Sequence, residues 1–187
     1  MKITSHLFEI FECDGDWDYS NVCGFNPSVT GITGLETAEL IDKVVSLARP
    51  DVVLAIDALA AKDIKRLSTT IQICDTGIMP GAGMGNRRKE ISRKTVGCPV
   101  ISIGVPTVID ARTLIMDAAE EIKAAGGDAE GRAAGCTQEK LQNYLEEGSF
   151  DMIVTSTDID EIIKDFADII SNAINITLHP GIYSKVK

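Results

Sequence analysis

Asp57 is the first residue whose type and place suggest chemistry. It follows the apolar run Val52–Ile56, the pattern of a strand buried on both faces. In an open parallel sheet, sites form beyond the carboxyl ends of strands. A carboxyl group buried there would have a raised pKa and suit proton transfer. The same spacing fits a structural role, with Asp57 as N-cap of a helix starting at Ala58. Asp75 also follows a short strand and opens the loop Asp75-Thr76-Gly77, where an Asp side chain commonly bonds nearby backbone N–H groups. Glycines at 77, 81, 83 and 85 make residues 77–86 a loop that an anion or an extended peptide backbone can approach closely. Gly81-x-Gly83-x-Gly85 is neither the dinucleotide fingerprint nor a P-loop. Asn86 fits the N-cap of a following basic helix over Arg87–Thr95. Arg87, Arg88, Lys89, Arg93 and Lys94 make that helix either a solvated face or a patch that steers an acidic substrate. Glu36 and Asp110 fit capping boxes with Thr33 and Thr107. His6 and His179 lack a third ligand at metal spacing, so no metal site is expected. Ser68 and Ser102 have no nucleophile elbow or nearby His–Asp arrangement.

These residues need elements to hold them. Ile3–Phe11 reads as a strand and Cys13–Pro27 as a polar loop. A helix follows to about Ala48, with Leu35, Leu40, Ile41, Val44 and Val45 on one face and Pro50 as its stop. Strands are predicted over Asp51–Ile56, Thr70–Cys74, Pro99–Ile103 and Asp151–Thr155. Helices are predicted over Ala58–Leu67, from Thr107 to about Ala125, and over Thr137–Glu147. Gly104-Val105-Pro106 reads as a turn. The last helix carries Ile159, Ile162, Ile163, Phe166, Ile169, Ile170 and Ile174 as one apolar stripe. Alternating strands and helices predict one α/β domain over residues 1–187 with a mostly parallel sheet, residues 126–150 forming a surface insertion.

Length and composition fit that plan. The chain has 187 residues, 44% hydrophobic and 25% charged, as an ordinary globular protein does. Its 18 basic and 28 acidic side chains give a net charge of −10, unsuited to general nucleic-acid binding. No uncharged apolar run is long enough to span a membrane, and the first residues do not read as a signal peptide. The five cysteines, 13, 23, 74, 98 and 136, form no Cys-x-x-Cys pair, which argues against a disulfide framework. Cys74 and Cys98 read as small hydrophobes in strand-like runs. The expectation is a soluble, reduced, cytoplasmic protein without a cofactor.

Asp75-Thr76-Gly77 is similar to the catalytic triplet of pepsin-like proteases, whose folds are all-β, so that likeness carries little here. A denser likeness runs from Gly31 to Ala111. Gly31–Thr37, Ala55-Ile56-Asp57-Ala58-Leu59-Ala60, Thr69–Ile73, Asp75–Ile78, Gly83-x-Gly85-Asn86-Arg87-Arg88-Lys89-Glu90 and Ile103–Ala111 resemble the spore germination proteases of endospore-forming bacteria. Ser5–Phe8 and Met152–His179 add weaker matches. The resemblance implies a zymogen-derived endopeptidase of the spore core that cuts small acid-soluble spore proteins at germination. It implies a tetramer, and a three-layer α/β sandwich, phosphorylase/hydrolase-like, related to hydrogenase maturation proteases.

It also implies two catalytic Asp residues, one of which corresponds to Asp57. The family's other Asp, its first core strand and its pro-segment lie upstream of the matched residues, and Met79 stands where the family often has His. The family's insertion before the last strand is shortened here to residues 124–150. The expected site therefore has Asp57 as catalytic acid, Asp75 as the second candidate, and Gly83, Gly85, Asn86, Arg87 and Arg88 for substrate binding. The competing expectations are a non-catalytic, spore-associated binding protein on the same fold, and an enzyme that binds phosphate at residues 77–86.

Overall fold

Val100–Asp110 (β3) is the strand on which the described sheet is built. The computed structural model describes residues 20–27, 36–81, 89–124, 138–148 and 150–183. Backbone contacts divide the chain into two compact units, residues 51–159 and residues 1–50 with 160–187.

The first unit holds a mixed four-stranded sheet. β1 (Val53–Ala61) runs parallel to β3, while β2 (Gln72–Cys74) and β4 (Ile153–Thr155) pair with β3 antiparallel. The class is α/β as expected, but two of the three pairings are antiparallel and the sheet is not mostly parallel. β2 and β4 occupy separate stretches of β3, residues 102–104 and 108–110. Pro106 falls between them, where its missing N–H interrupts no ladder with either strand.

The Gly104-Val105-Pro106 turn does not form, because burial overrides the local turn signal. Residues 102–107 are all buried in a continuous strand. Val100, Ile103, Val105 and Ile109 anchor the core of this unit with Ala61, Ile91, Ala111 and Leu145. Each large aliphatic side chain so buried contributes about 1.5–3 kcal/mol.

β1 differs from the sequence expectation in the same way. It does not stop at Asp57 but continues to Ala61, so the helix expected from Ala58 is absent. Ala58–Ala60 favour helix intrinsically, yet pairing with Val105–Ile109 determines their conformation. The register slips between Leu59, opposite Pro106, and Ala60, opposite Val108, which leaves Thr107 as the extra residue of a β-bulge. A single 3₁₀ turn, Ile64–Arg66, follows. Its first N–H donates to Asp117 Oδ2 at 2.9 Å, and Lys65 Nζ lies 2.7 Å from Glu121 Oε1. Both acids belong to α3 (Ala111–Ala124).

The basic helix is shorter than expected. Ile91 and Ile78 exchange backbone hydrogen bonds of 2.8 and 2.9 Å, which holds Ile91 extended. The helix α2 therefore covers only Arg93–Val96, with Ser92 as N-cap. Asp110 Oδ1 accepts from the N–H groups of Arg112 and Thr113 and caps α3, whereas Thr107 is a strand residue and not part of a capping box. The expected helix at 137–147 is α4 (Gln138–Glu147).

In the second unit, α1 (Thr37–Ala48) ends where expected and α5 (Ile159–Leu178, all but its first residue) carries the expected stripe, followed by α6 (Pro180–Tyr183). Glu36 is itself the N-cap of α1 and makes no side-chain capping bond, so the helix starts later than the Thr33–Glu36 box predicts. Arg49, just before Pro50, turns left-handed at φ 47° and ends the helix. Thr37, Ile170 and His179 are buried, and Ser20 N–H donates to the Leu178 carbonyl at 2.8 Å.

Candidate functional site

One face of the sheet carries the polar residues. In the register, Asp57 of β1 lies opposite Gly104 of β3, and Gly104 lies opposite Gln72 of β2. The neighbouring row is Ala55, Ser102 and Cys74. Partnered residues and residues two apart share a face, so Asp57, Gln72, Ser102 and Cys74 all project from the same side. Asp57 is half-buried, and its Oδ1 accepts the N–H of Ala58 at 2.9 Å. That bond belongs to a continuing strand, not to a helix cap.

Gly104 is glycine because its side-chain space is taken. An added β-carbon would overlap Leu59 Cδ1 and lie 2.6 Å from Leu59 Cγ. Leu59 stands two residues beyond Asp57 on the same face, so its side chain lies across the middle strand as an apolar floor.

Cys74 holds the most polar surroundings of the face. Its Sγ lies 2.9 Å from Ser102 Oγ and receives a 3.4 Å hydrogen bond from Thr76 Oγ1. Ser102 Oγ is also 3.2 Å from the carbonyl oxygens of Cys74 and Gly77. The Ser102 hydroxyl, and after it that of Thr76, hold the thiol below its ordinary pKa. Cys74 is exposed, not the buried hydrophobe expected, while Cys98 is half-buried. Gln72 is the polar member that the sequence motifs do not single out, and Cys74 and Ser102 are polar partners here although the sequence suggests no joint role for them. Their signal was the alternation Gln72-Ile73-Cys74, which puts both polar residues on one side of a strand and Ile73 on the other.

Asp75 does not join this row. It follows Cys74 in an exposed bend beyond the end of β2. The bend is fixed by Gly77, whose φ is +105° and whose missing β-carbon makes room for the Ile91 carbonyl and Ser92. Met79 is exposed beside it. Gly83, Gly85, Asn86, Arg87 and Arg88 lie outside the described residues, as do Ile3–Phe11, His6 and Thr33. Among the described residues, no three His, Cys, Asp or Glu side chains gather as a metal site, and no helix is long and apolar enough to cross a membrane.

A family model described as germination protease matches residues 1–131. The chain belongs to the germination protease family. Similar relatives carry that name in Clostridium tetani, 43% identical over 97% of this chain, and in Caldanaerobacter subterraneus, 39% identical over 99%. A third, from Bacillus subtilis, is 35% identical over all of it. The matches cover 60–62% of these relatives' own lengths, so the chain spans about three-fifths of the curated relatives it matches. Asp57, Gln72, Cys74, Ser102 and Gly104 all fall inside the segment that the family model matches.

Proposed function

We propose that this chain is an endopeptidase of spore germination that hydrolyses small acid-soluble spore proteins, with Asp57 activating the attacking water. The observation that carries the reading is a half-buried carboxylate on the polar face of the sheet, in a chain of the germination protease family. Asp57 takes a proton from water as the water oxygen attacks the peptide carbonyl. It returns that proton to the departing amine. This sequence balances with one carboxylate and is of the aspartic type.

Asp75 ranks second among the acids. It lies past the end of β2 and outside the Asp57 row, so its part is a relay through water and Asp75→Asn has the smaller effect. Gly83, Gly85 and Asn86 give the substrate backbone close approach, and Arg87 and Arg88 contact its acidic residues. The reading includes a three-layer sandwich fold, a homo-tetramer and residence in the spore core.

The experiment is mass-spectrometric digestion of a small acid-soluble spore protein by the 187-residue chain beside Asp57→Asn. The expected outcome is discrete cuts that slow by roughly 10²–10⁴-fold in the variant, the range for loss of a general acid–base. Equal cutting by both proteins removes Asp57 from the mechanism. Binding of the spore protein without cuts from either turns the reading into a non-catalytic relative.

A further inference from the structure

We infer that Gln72 donates a hydrogen bond to the carbonyl oxygen of the scissile peptide, opposite the water held by Asp57; this rests on the assignment of Asp57 above. Asp57, Gly104 and Gln72 form one row across β1, β3 and β2. Adjacent strands are about 4.8 Å apart, so the Asp57 and Gln72 Cα atoms stand about 10 Å apart. No β-carbon lies between them. The middle of the row is glycine, covered by the Leu59 side chain. The result is an apolar floor with a carboxylate on one side and a primary amide on the other. Two strand spacings set the Asp57 and Gln72 side chains on either side of Leu59, over which an extended peptide segment would run.

The amide suits the role. Gln72 is exposed and its side-chain amide holds no hydrogen bond among the described residues, whereas the Ser102 hydroxyl, one row away, is engaged with Cys74 and two carbonyl oxygens. A glutamine amide has two N–H donors and no charge to form an ion pair with Asp57. As the water oxygen bonds to the carbonyl carbon, negative charge develops on the carbonyl oxygen, and the Gln72 N–H stabilises it there. The carbon–nitrogen bond then breaks, and the nitrogen takes the proton that Asp57 removed from water.

Three variants and one probe test this. Gln72→Ala is expected to lower kcat by roughly 10²–10³-fold, the loss typical of one oxyanion donor, with KM little changed. Gln72→Glu keeps the shape but loses the donor when ionised. It is expected to lose kcat at neutral pH about as much as Gln72→Ala does, with KM little changed. A merely structural role would leave this shape-preserving variant near the full rate. Asp57→Asn run alongside separates the two readings. Gln72→Ala at full kcat with Asp57→Asn disabled overturns Gln72 alone, and Asp57→Asn at full rate overturns the Asp57 reading first. If the chain cuts no peptide, calorimetric titration decides, using an acetylated hexapeptide with a phosphinate in place of the scissile amide. The same roughly 10²–10³-fold weakening in Gln72→Ala, with the parent amide peptide unaffected, supports the proposal. Equal affinity of wild type and variant, or no binding by either, overturns it.

Discussion

At Cys74 two hydroxyls act on a thiol as a neighbouring cation does elsewhere, by stabilising the thiolate. Ser102→Ala removes the nearer one, so the Cys74 pKa rises toward its ordinary value. Alkylation of Cys74 by iodoacetamide at pH 8 then slows relative to the unsubstituted protein. An unchanged rate-versus-pH curve rejects the assignment. The sign for stability follows from the same shift. A thiol whose folded pKa is depressed stabilises the fold above its unfolded pKa, and that gain is lost as pH falls through the folded value. The thiol is exposed, so solvent screening keeps the effect small.

Gly104 gives a second prediction at this scale. Gly104→Ala drives a methyl group into Leu59 and is expected to cost about 1–3 kcal/mol, as overpacking does. Urea denaturation measures it. Adding Leu59→Ala should recover part of the loss, because the two side chains compete for one volume.

The elements show where sequence legibility ends. α1 and α5 were readable because each repeats apolar residues at three and four positions and has a clear stop or long stripe. β1 and β3 were readable only in their first halves. Asp57 looked like a strand end because a charged residue interrupted an apolar run, and Gly104-Val105-Pro106 looked like a turn from residue type alone. In both places a long-range pairing decides the conformation: Asp57 sits beside Gly104, and Pro106 occupies the gap between two partner strands. Of the candidate site, Asp57 stands out in the sequence and its row does not, since register across three strands is no property of a local window. Asp110 allows a direct test at this scale. Its carboxylate caps α3 with hydrogen bonds of 2.8 and 3.2 Å, so Asp110→Ala is expected to cost about 1 kcal/mol. A lowered urea midpoint with an unchanged slope reports it, whereas an unmoved midpoint rules the cap out as a stabiliser.

For the whole molecule, the net charge of −10 sets a repulsive background for the acidic spore proteins proposed as substrates, against which the cations at 87–94 form a local exception. Reversing Arg87 and Arg88 to Glu is expected to raise KM at low ionic strength, with the difference shrinking as salt is added. Identical KM values at 20 and 200 mM salt discard the steering role. The described sheet also constrains how such a chain varies. Before Thr107, the even-numbered residues of β3 share a side with Asp57. After it, Ala61 of β1 partners Ile109, an odd-numbered residue. β3 therefore behaves like a two-letter reading frame with one programmed slip. Inserting a single residue between Gly104 and Asp110 exchanges the sides of everything downstream, turning Ile109 from core to surface and swinging Asp110 off its helix, whereas losing one closes the slip and keeps Ile109 opposite Ala61. This stretch can therefore give up one residue but not take one in.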